Sequence, residues 1–187
     1  LYGANAIHPY FTMQAWDTTS TKFYFWDDNS YVYEYNTETQ KVKFIDRLFR
    51  DYCICVSPLN HLFYLNQDLE IIKMDCDTYE KEYVTTLPSQ YTNSASMLQI
   101  NNDESRLSVE WTDISGDFDR TKYTRMPVYD LNEDKWILNG IWGFTDMAWY
   151  NPDHVQVSTG PDMGNYVMFA HEGQGVHDRI WVMNLET

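Results

Sequence analysis

The sequence predicts an all-β protein, a β-propeller of about four four-stranded blades, and three observations carry that reading. Aromatic residues make up 17% of the chain and fall in short alternating runs bounded by Asp, Asn, Ser, Thr and Gly, which is strand and turn composition. Helical periodicity is absent over any window long enough to hold a helix. One polar hairpin turn recurs along the chain, and four strands per period of about 40–45 residues is a propeller signature.

The first blade reads as Phe11–Trp16, Lys22–Trp26, Tyr31–Tyr35 and Lys41–Ile45, covering 11–45. The second, 52–86, reads as Tyr52–Val56, Leu62–Leu65, Leu69–Met74 and Glu82–Thr86. The third, 95–139, reads as Ser96–Ile100, Arg106–Trp111, Met126–Tyr129 and Trp136–Leu138. The fourth, 146–187, offers Met147–Trp149 leading into His154–Val157, then Tyr166–Ala170 and Arg179–Met183. Together they are expected to form one domain over 1–187.

The recurring turn is Asn36–Lys41, Asp75–Lys81 and Asp130–Lys135, each entering a strand after a lysine. Lys41 and Lys81 are 40 residues apart, Lys81 and Lys135 are 54 apart, and a polar insertion at Thr112–Tyr123 accounts for the longer interval. A β-sandwich has short strands at this spacing but does not repeat the same hairpin in the same place. A fourth copy of the turn begins at Asn184-Leu185-Glu186-Thr187, where the chain stops. The expectation is a last blade without its outermost strand, in a larger ring. Remaining propeller blades or another chain would then cover the open edges.

Composition excludes several classes. The 187 residues carry 13 Lys and Arg against 28 Asp and Glu, a formal charge of −15, which cannot supply a phosphate-binding stripe, so no nucleic acid is expected. No apolar run approaches the ~20 residues that span a bilayer, so no membrane partner is expected either. Cys53 and Cys55 are two apart on one expected strand and Cys76 stands alone; they read as buried reduced thiols rather than a disulfide or metal site. No Asn-x-Ser/Thr acceptor occurs. The compartment stays open, the cytoplasm being slightly favoured over the periplasm.

No nucleophile elbow, His-Glu-x-x-His pair, phosphate loop or dinucleotide-binding glycine pattern is present. Of the five histidines, His8 and His61 read as surface or packing residues, whereas His154, His171 and His177 cluster in the fourth blade. On a regular strand His154 and Gln156 share one face and Val155 takes the other. His171 ends the next strand. Two readings stand side by side: hydrogen-bonded histidines in the wall of a propeller channel, or a group titrating near neutrality in a polar cleft, as general acid–base chemistry requires. Two lesser signals have simpler readings: the acidic Asp113–Asp119 segment is a solvated turn rather than a calcium loop, and Trp142, Trp149 and Trp181 are core aromatics before they are sugar platforms.

The stretches His154-Val155-Gln156-Val157-Ser158, Tyr166-Val167-Met168-Phe169-Ala170-His171-Glu172-Gly173 and Asp178-Arg179-Ile180-Trp181 resemble the oligogalacturonate lyases and their relatives. The close likeness covers 147–183; the earlier blades match as generic blades. The resemblance implies a seven-bladed ring that cleaves uronic-acid oligosaccharides by β-elimination, an acidic oligosaccharide as substrate and a divalent metal, Mn²⁺. It implies that the metal's ligands lie outside this chain, so no metal-ligating residue is assigned here. It implies His154 as the catalytic histidine and Arg125 as the catalytic arginine, with Arg120 as the alternative. Gln156, His171 and Arg120 are the expected substrate-binding residues. Family members carry Gly-His-Pro where this chain has Asp153-His154-Val155.

The chemistry fits those residue types. A uronate C5 proton lies α to a carboxylate, and its removal builds charge on that carboxylate, so a metal ion or a guanidinium must lie beside it. A guanidinium fork matches the carboxylate plane. A proton acceptor and loss of the C4 oxygen complete the elimination; the residues alone leave open whether His154 or Arg125 takes the proton. A non-catalytic propeller serving as a binding or assembly scaffold is the alternative function.

Overall fold

A computed structural model describes residues 6–7, 14–88, 95–112, 124–125, 128–137, 151–157, 166–172 and 180–184, with backbone alone at 95–97, 110–112, 124–125 and from 151 onward. The described residues form sixteen strands and no helix. The fold is a β-propeller, built from antiparallel sheets in chain order. Two compact units divide the chain, Leu1–Leu87 and Pro88–Thr187.

The first unit holds two four-stranded blades. Blade one runs β1 (Ala6–Ile7), β2 (Lys22–Asp27), β3 (Tyr31–Asn36) and β4 (Lys41–Arg47), in that spatial order. Blade two runs β5 (Ile54–Val56), β6 (His61–Leu65), β7 (Glu70–Asp75) and β8 (Lys81–Thr86). Inner strands are the most buried, as Tyr-Phe-Trp in β2 and Leu-Phe-Tyr-Leu in β6 show, while β4 and β8 are largely exposed. That gradient accompanies the unbroken apolar runs, since a strand buried on both faces has no polar face to alternate with.

The expected inner strand of blade one, Phe11–Trp16, takes a different form. The pairing beside β2 is split: Ala6 and Ile7 pair with Asp27 and Trp26, while Trp16 makes one isolated bridge to Phe23. Residues 11–13 lie outside the described residues.

Equivalent hydrogen bonds recur in successive blades. In the third turn the side-chain oxygen of Asn36 accepts from the amides of Glu38 and Thr39, that of Asp75 from Asp77 and Thr78, and that of Asp130 from Asn132 and Glu133. These are Asx turns, a short side chain replacing a backbone acceptor. The next residue, Thr37, Cys76 or Leu131, donates its amide to the carbonyl of Thr21, Asn60 or Ser105 in the first turn of the same blade. The repeat is therefore anchored on Asn36, Asp75 and Asp130, and the lysine alignment needs correcting. Lys41 pairs with Asn36 and Lys135 with Asp130, but Glu80 holds that place opposite Asp75. Lys81 is one residue further on, which changes its contacts.

The second unit holds β9 (Ala95–Ile100), β10 (Arg106–Thr112), β11 (Thr124–Arg125), β12 (Val128–Asp130) and β13 (Lys135–Ile137), then a three-stranded sheet of β14 (Asn151–Val157), β15 (Tyr166–Glu172) and β16 (Ile180–Asn184). β11 and β12 both pair with the same edge of β10 in one constant register. The third strand of this sheet is therefore already paired at Thr124, ahead of the expected start at Met126, and 113–123 and 126–127 lie outside the described residues. Tyr166 pairs with Asn184 as Lys22 pairs with Asn36, His61 with Asp75 and Arg106 with Asp130. The fourth sheet thus reaches the anchor position of the same turn.

The core between blades one and two joins Tyr24, Trp26, Val32 and Leu48 to Ile54, Val56, Leu62, Tyr64, Ile72 and Met74. Polar groups are woven into this seam. Glu34, 3% exposed, accepts from Tyr79 Oη at 2.9 Å and Tyr24 Oη at 3.3 Å. Asp46 accepts from Tyr64 Oη and Lys81 Nζ, each at 2.8 Å.

Candidate active site

The sequence-selected residues that the structure describes fall on three strands of the second unit. His154 and Gln156 lie on β14, His171 on β15 and Arg125 on β11. In the β14–β15 ladder Asn151 faces Glu172, Pro152 faces His171 and Asp153 faces Ala170; pairing resumes with Gln156 opposite Met168 and Val157 opposite Val167. Between them His154 and Val155 together oppose one residue, Phe169, so the strand carries a β-bulge at the histidine. Phe169 pairs in turn with Trp181 of β16.

The bulge alters the expected alternation. His154 and Gln156 are two apart in sequence, but a two-against-one register intervenes, and Gln156 shares its row sense with Asp153. A bulge bends its strand and re-aims the residues in it, and such sites cluster at functional positions. Strict period-two reading missed it. The signal available in the sequence was Pro152, since proline within a sheet is confined to edges, strand starts and bulges; β14 is an edge strand of its sheet.

β14 runs beside β9, β10 and β11 of the preceding sheet. Arg125 pairs with Trp111 at the start of the third strand of that sheet. The other arginine of this ladder is engaged at the opposite end: Arg106 Nη1 lies 2.6 Å from Asp130 Oδ1, with Asp130 2% exposed. Asp130, the acceptor of the Asx turn, is thus already balanced by Arg106. This buried pair was not read from the sequence. Arg120, the acidic segment 113–119, His8, His177, Trp142 and Trp149 lie outside the described residues.

Cys53, Cys55 and Cys76 are free and buried. Burial pushes the Cys76 thiol up to about 11, with the Tyr24 hydroxyl and the Lys22 charge pulling the other way, so it stays protonated at neutral pH. Among the described residues no three His, Cys, Asp or Glu side chains converge on a point that would hold a metal ion, and no step is routed through a cation held by them.

No protein-family model and no curated protein matches the sequence. Solved structures do. An oligogalacturonate lyase from Vibrio parahaemolyticus matches at a TM-score of 0.71 and 20% identity, covering 97% of this chain and 51% of its own. An oligogalacturonate lyase in complex with manganese matches at 0.71 and 20%, covering 98% and 52%. The β-propeller domain of Cps50 (Swd1) from Myceliophteria thermophila matches at 0.57 and 10%, covering 98% and 55%. The chain spans about half the length of the oligogalacturonate lyase structures it matches. It has the β-propeller fold and aligns along nearly its whole length with half of an oligogalacturonate lyase structure.

Proposed function

We propose that this chain is part of a lyase that cleaves uronic-acid oligosaccharides by β-elimination. The observation that supports this most is the alignment of 97% of the chain with an oligogalacturonate lyase structure, combined with a bulged His154 on a strand running beside the one that carries Arg125. In the proposed reaction the C5 proton passes to a basic group of the site while a guanidinium or cation neutralises the adjacent carboxylate. The C4–O bond breaks with its electron pair leaving on oxygen, and a C4=C5 double bond remains. His154 and Arg125 take these two roles, Gln156 and His171 bind the substrate, and Arg120 is the alternative to Arg125. The ordinary pKa of histidine lies near neutrality and that of arginine far above it, so the pH–rate profiles of the two single variants assign the proton acceptor.

A divalent cation, Mn²⁺ by analogy with the manganese-bound lyase, is proposed to bind through ligands supplied from outside this chain. It would neutralise the substrate carboxylate. The long-range repulsion of a −15 chain is screened beyond about 8–10 Å in physiological salt, so local positive charge decides binding.

The test is incubation of the protein, expressed from its complete coding sequence, with digalacturonate and Mn²⁺ while following absorbance of the unsaturated product. A rising signal, abolished by chelation and restored by Mn²⁺, is the expected result. The likeness to a non-lyase propeller domain favours a second reading, a binding or assembly scaffold. Absence of product with a series of uronate oligosaccharides puts that reading ahead.

A further inference from the structure

Blade three departs from blades one and two on one face of β10. Register fixes the equivalences, since Lys22, His61 and Arg106 open the second strand of their blades opposite Asn36, Asp75 and Asp130. Ser108 then stands where Tyr24 and Phe63 stand, and Glu110 where Trp26 and Leu65 stand. Those four side chains of blades one and two are all 0% exposed. A carboxylate has taken a register that both other blades fill with a buried apolar side chain. Beside it, Ser108 is smaller than either ring it replaces; it is 0% exposed and its hydroxyl has no hydrogen-bond partner.

The strand across the seam has changed as well. Between blades one and two, Tyr24 and Trp26 share a buried cluster with Ile54 and Val56 of β5. Val56 pairs with Leu62 and Ile54 with Tyr64. The equivalents of Leu62 and Tyr64 on β15 are Val167 and Phe169, so Val157 takes the place of Val56, and the bulged His154 and Val155 take that of Ile54. β9 is bulged at the same register, with Met97 where β14 has His154. β14 runs beside β10. An acid for an apolar residue at 110 and a base for an apolar residue at 154 therefore fall on the two sides of one seam.

We infer that Glu110 pairs with His154 across the seam between blades three and four, as a positioning residue that fixes the imidazole and stabilises its protonated form. A carboxylate at a core register is costly unless a cation or hydrogen-bond donors meet it. The other charged residues around β14 are placed elsewhere. Arg106 shares the face of Glu110 but is matched to Asp130, and Arg125, opposite Trp111, takes the other face of that sheet. Asp153, Tyr166 and Glu172 take the face opposite to that of Phe169, and β9 has no charged residue. His171 shares the face of Phe169 and is the rival partner. A carboxylate on one ring nitrogen fixes the tautomer and makes the other nitrogen a stronger proton acceptor. In the proposed elimination that nitrogen takes the C5 proton; this role rests on the lyase reading, whereas the pair itself does not.

Exchange of the imidazole C2 hydrogen for deuterium, read by mass spectrometry across pH, titrates each histidine in the protein expressed from its complete coding sequence. Glu110→Gln is expected to lower the pKa of His154 by about one unit or more, as loss of an adjacent opposite charge does, and to leave His171 unchanged. The acid limb of the kcat/KM profile for digalacturonate should move to lower pH with it. An unmoved His154, or a shift confined to His171, overturns the inference. A protein that makes no product yet shows the His154 shift sinks the lyase reading and keeps the pair; full activity with an unmoved His154 does the reverse. If Glu110→Gln does not fold, Glu110→Leu is compared in the wild-type and His154→Ile backgrounds, the double variant restoring an apolar pair like that of blades one and two. Glu110→Leu should raise the melting temperature more in the His154→Ile background, where the carboxylate has lost its partner. Equal changes in the two backgrounds overturn the pair.

Discussion

Lys81 Nζ of blade two lies 2.8 Å from Asp46 Oδ2 of blade one and 3.1 Å from the Ile45 carbonyl, while Tyr64 Oη reaches the same carboxylate oxygen from the buried side. Two donors of different burial thus share one acceptor. The ammonium is 41% exposed on its side chain and the Asp46 carboxylate 34%, so water replaces much of what the charge supplies. Tyr64 is fully buried, and its hydroxyl has no such substitute. Tyr64→Phe is expected to destabilise the protein by about 1 kcal/mol, and Lys81→Met by less than about 1 kcal/mol. Urea denaturation of both variants checks the order; a larger loss from Lys81→Met contradicts it.

The same carboxylate sets an acid limit. Burial pushes the Asp46 carboxyl up, but hydrogen bonds from Lys81, Tyr64 and the Arg47 amide, with the Lys81 charge, outweigh it and hold it below the ordinary aspartate value. Asp17 is lowered too, burial being overcome by hydrogen bonds from Thr19, Lys22 and Thr21, and Asp75 is lowered chiefly by the amides of Thr78 and Asp77. A carboxyl with a lower pKa in the folded state stabilises the fold above the unfolded pKa and loses that contribution as pH falls through the folded one. Melting temperature is therefore expected to be insensitive to these groups down to about pH 5 and to drop below the unfolded aspartate value of about 3.9. Asp46→Asn should flatten that acid limb and leave a lower plateau at neutral pH. An unchanged acid limb would remove Asp46 from the account.

The recurring turns are not equal in energy. Asn36 is partly buried and accepts from exposed amides, so water compensates its loss. Asp130 is buried and also neutralises Arg106. Asn36→Ala is expected to cost about 1 kcal/mol, whereas Asp130→Ala strands a largely buried guanidinium and should cost about 3 kcal/mol. Chemical denaturation of the two variants decides, and equal costs would mean that the ion pair contributes nothing beyond the turn.

Residues that alternate or punctuate made the blades readable. Lys22–Trp26, Tyr31–Tyr35 and Leu62–Leu65 appear within one residue of their expected ends because an aromatic or aliphatic run between turn residues has few other structures open to it. The split strand before Asp17 was hidden because Ala6–Ile7 is too short for any periodicity. The lysine alignment slipped because Lys81 resembles Lys41 in type while Glu80 resembles it in register; hydrogen bonds, not residue identity, define the turn. Asp46, Tyr64 and Lys81 meet across two blades at sequence separations of 18 and 35, a distance over which local pattern carries no information. The same limit applied at the candidate site, where His154 was singled out by its neighbours but its bulge depends on the partner strand.

That bulge gives the last prediction. His154 and Val155 share one partner, Phe169, while the pairs on either side are regular. Removing Val155 restores an unbroken register and shifts the histidine to an ordinary ladder position. If the bulge sets the histidine for proton transfer, this deletion should lower kcat by about 10²-fold or more, as does loss of a positioned acid–base group, with KM for digalacturonate changed little. His154→Ala and Arg125→Ala should each lose as much at unchanged melting temperature. A scaffold role predicts otherwise, since deleting Val155 would change melting temperature and any ligand affinity together. The measurement is steady-state kinetics on the three variants beside thermal melts. Near-normal turnover after removal of Val155 would show that the register does not position the histidine, and near-normal turnover in either alanine variant would take that residue out of the reaction.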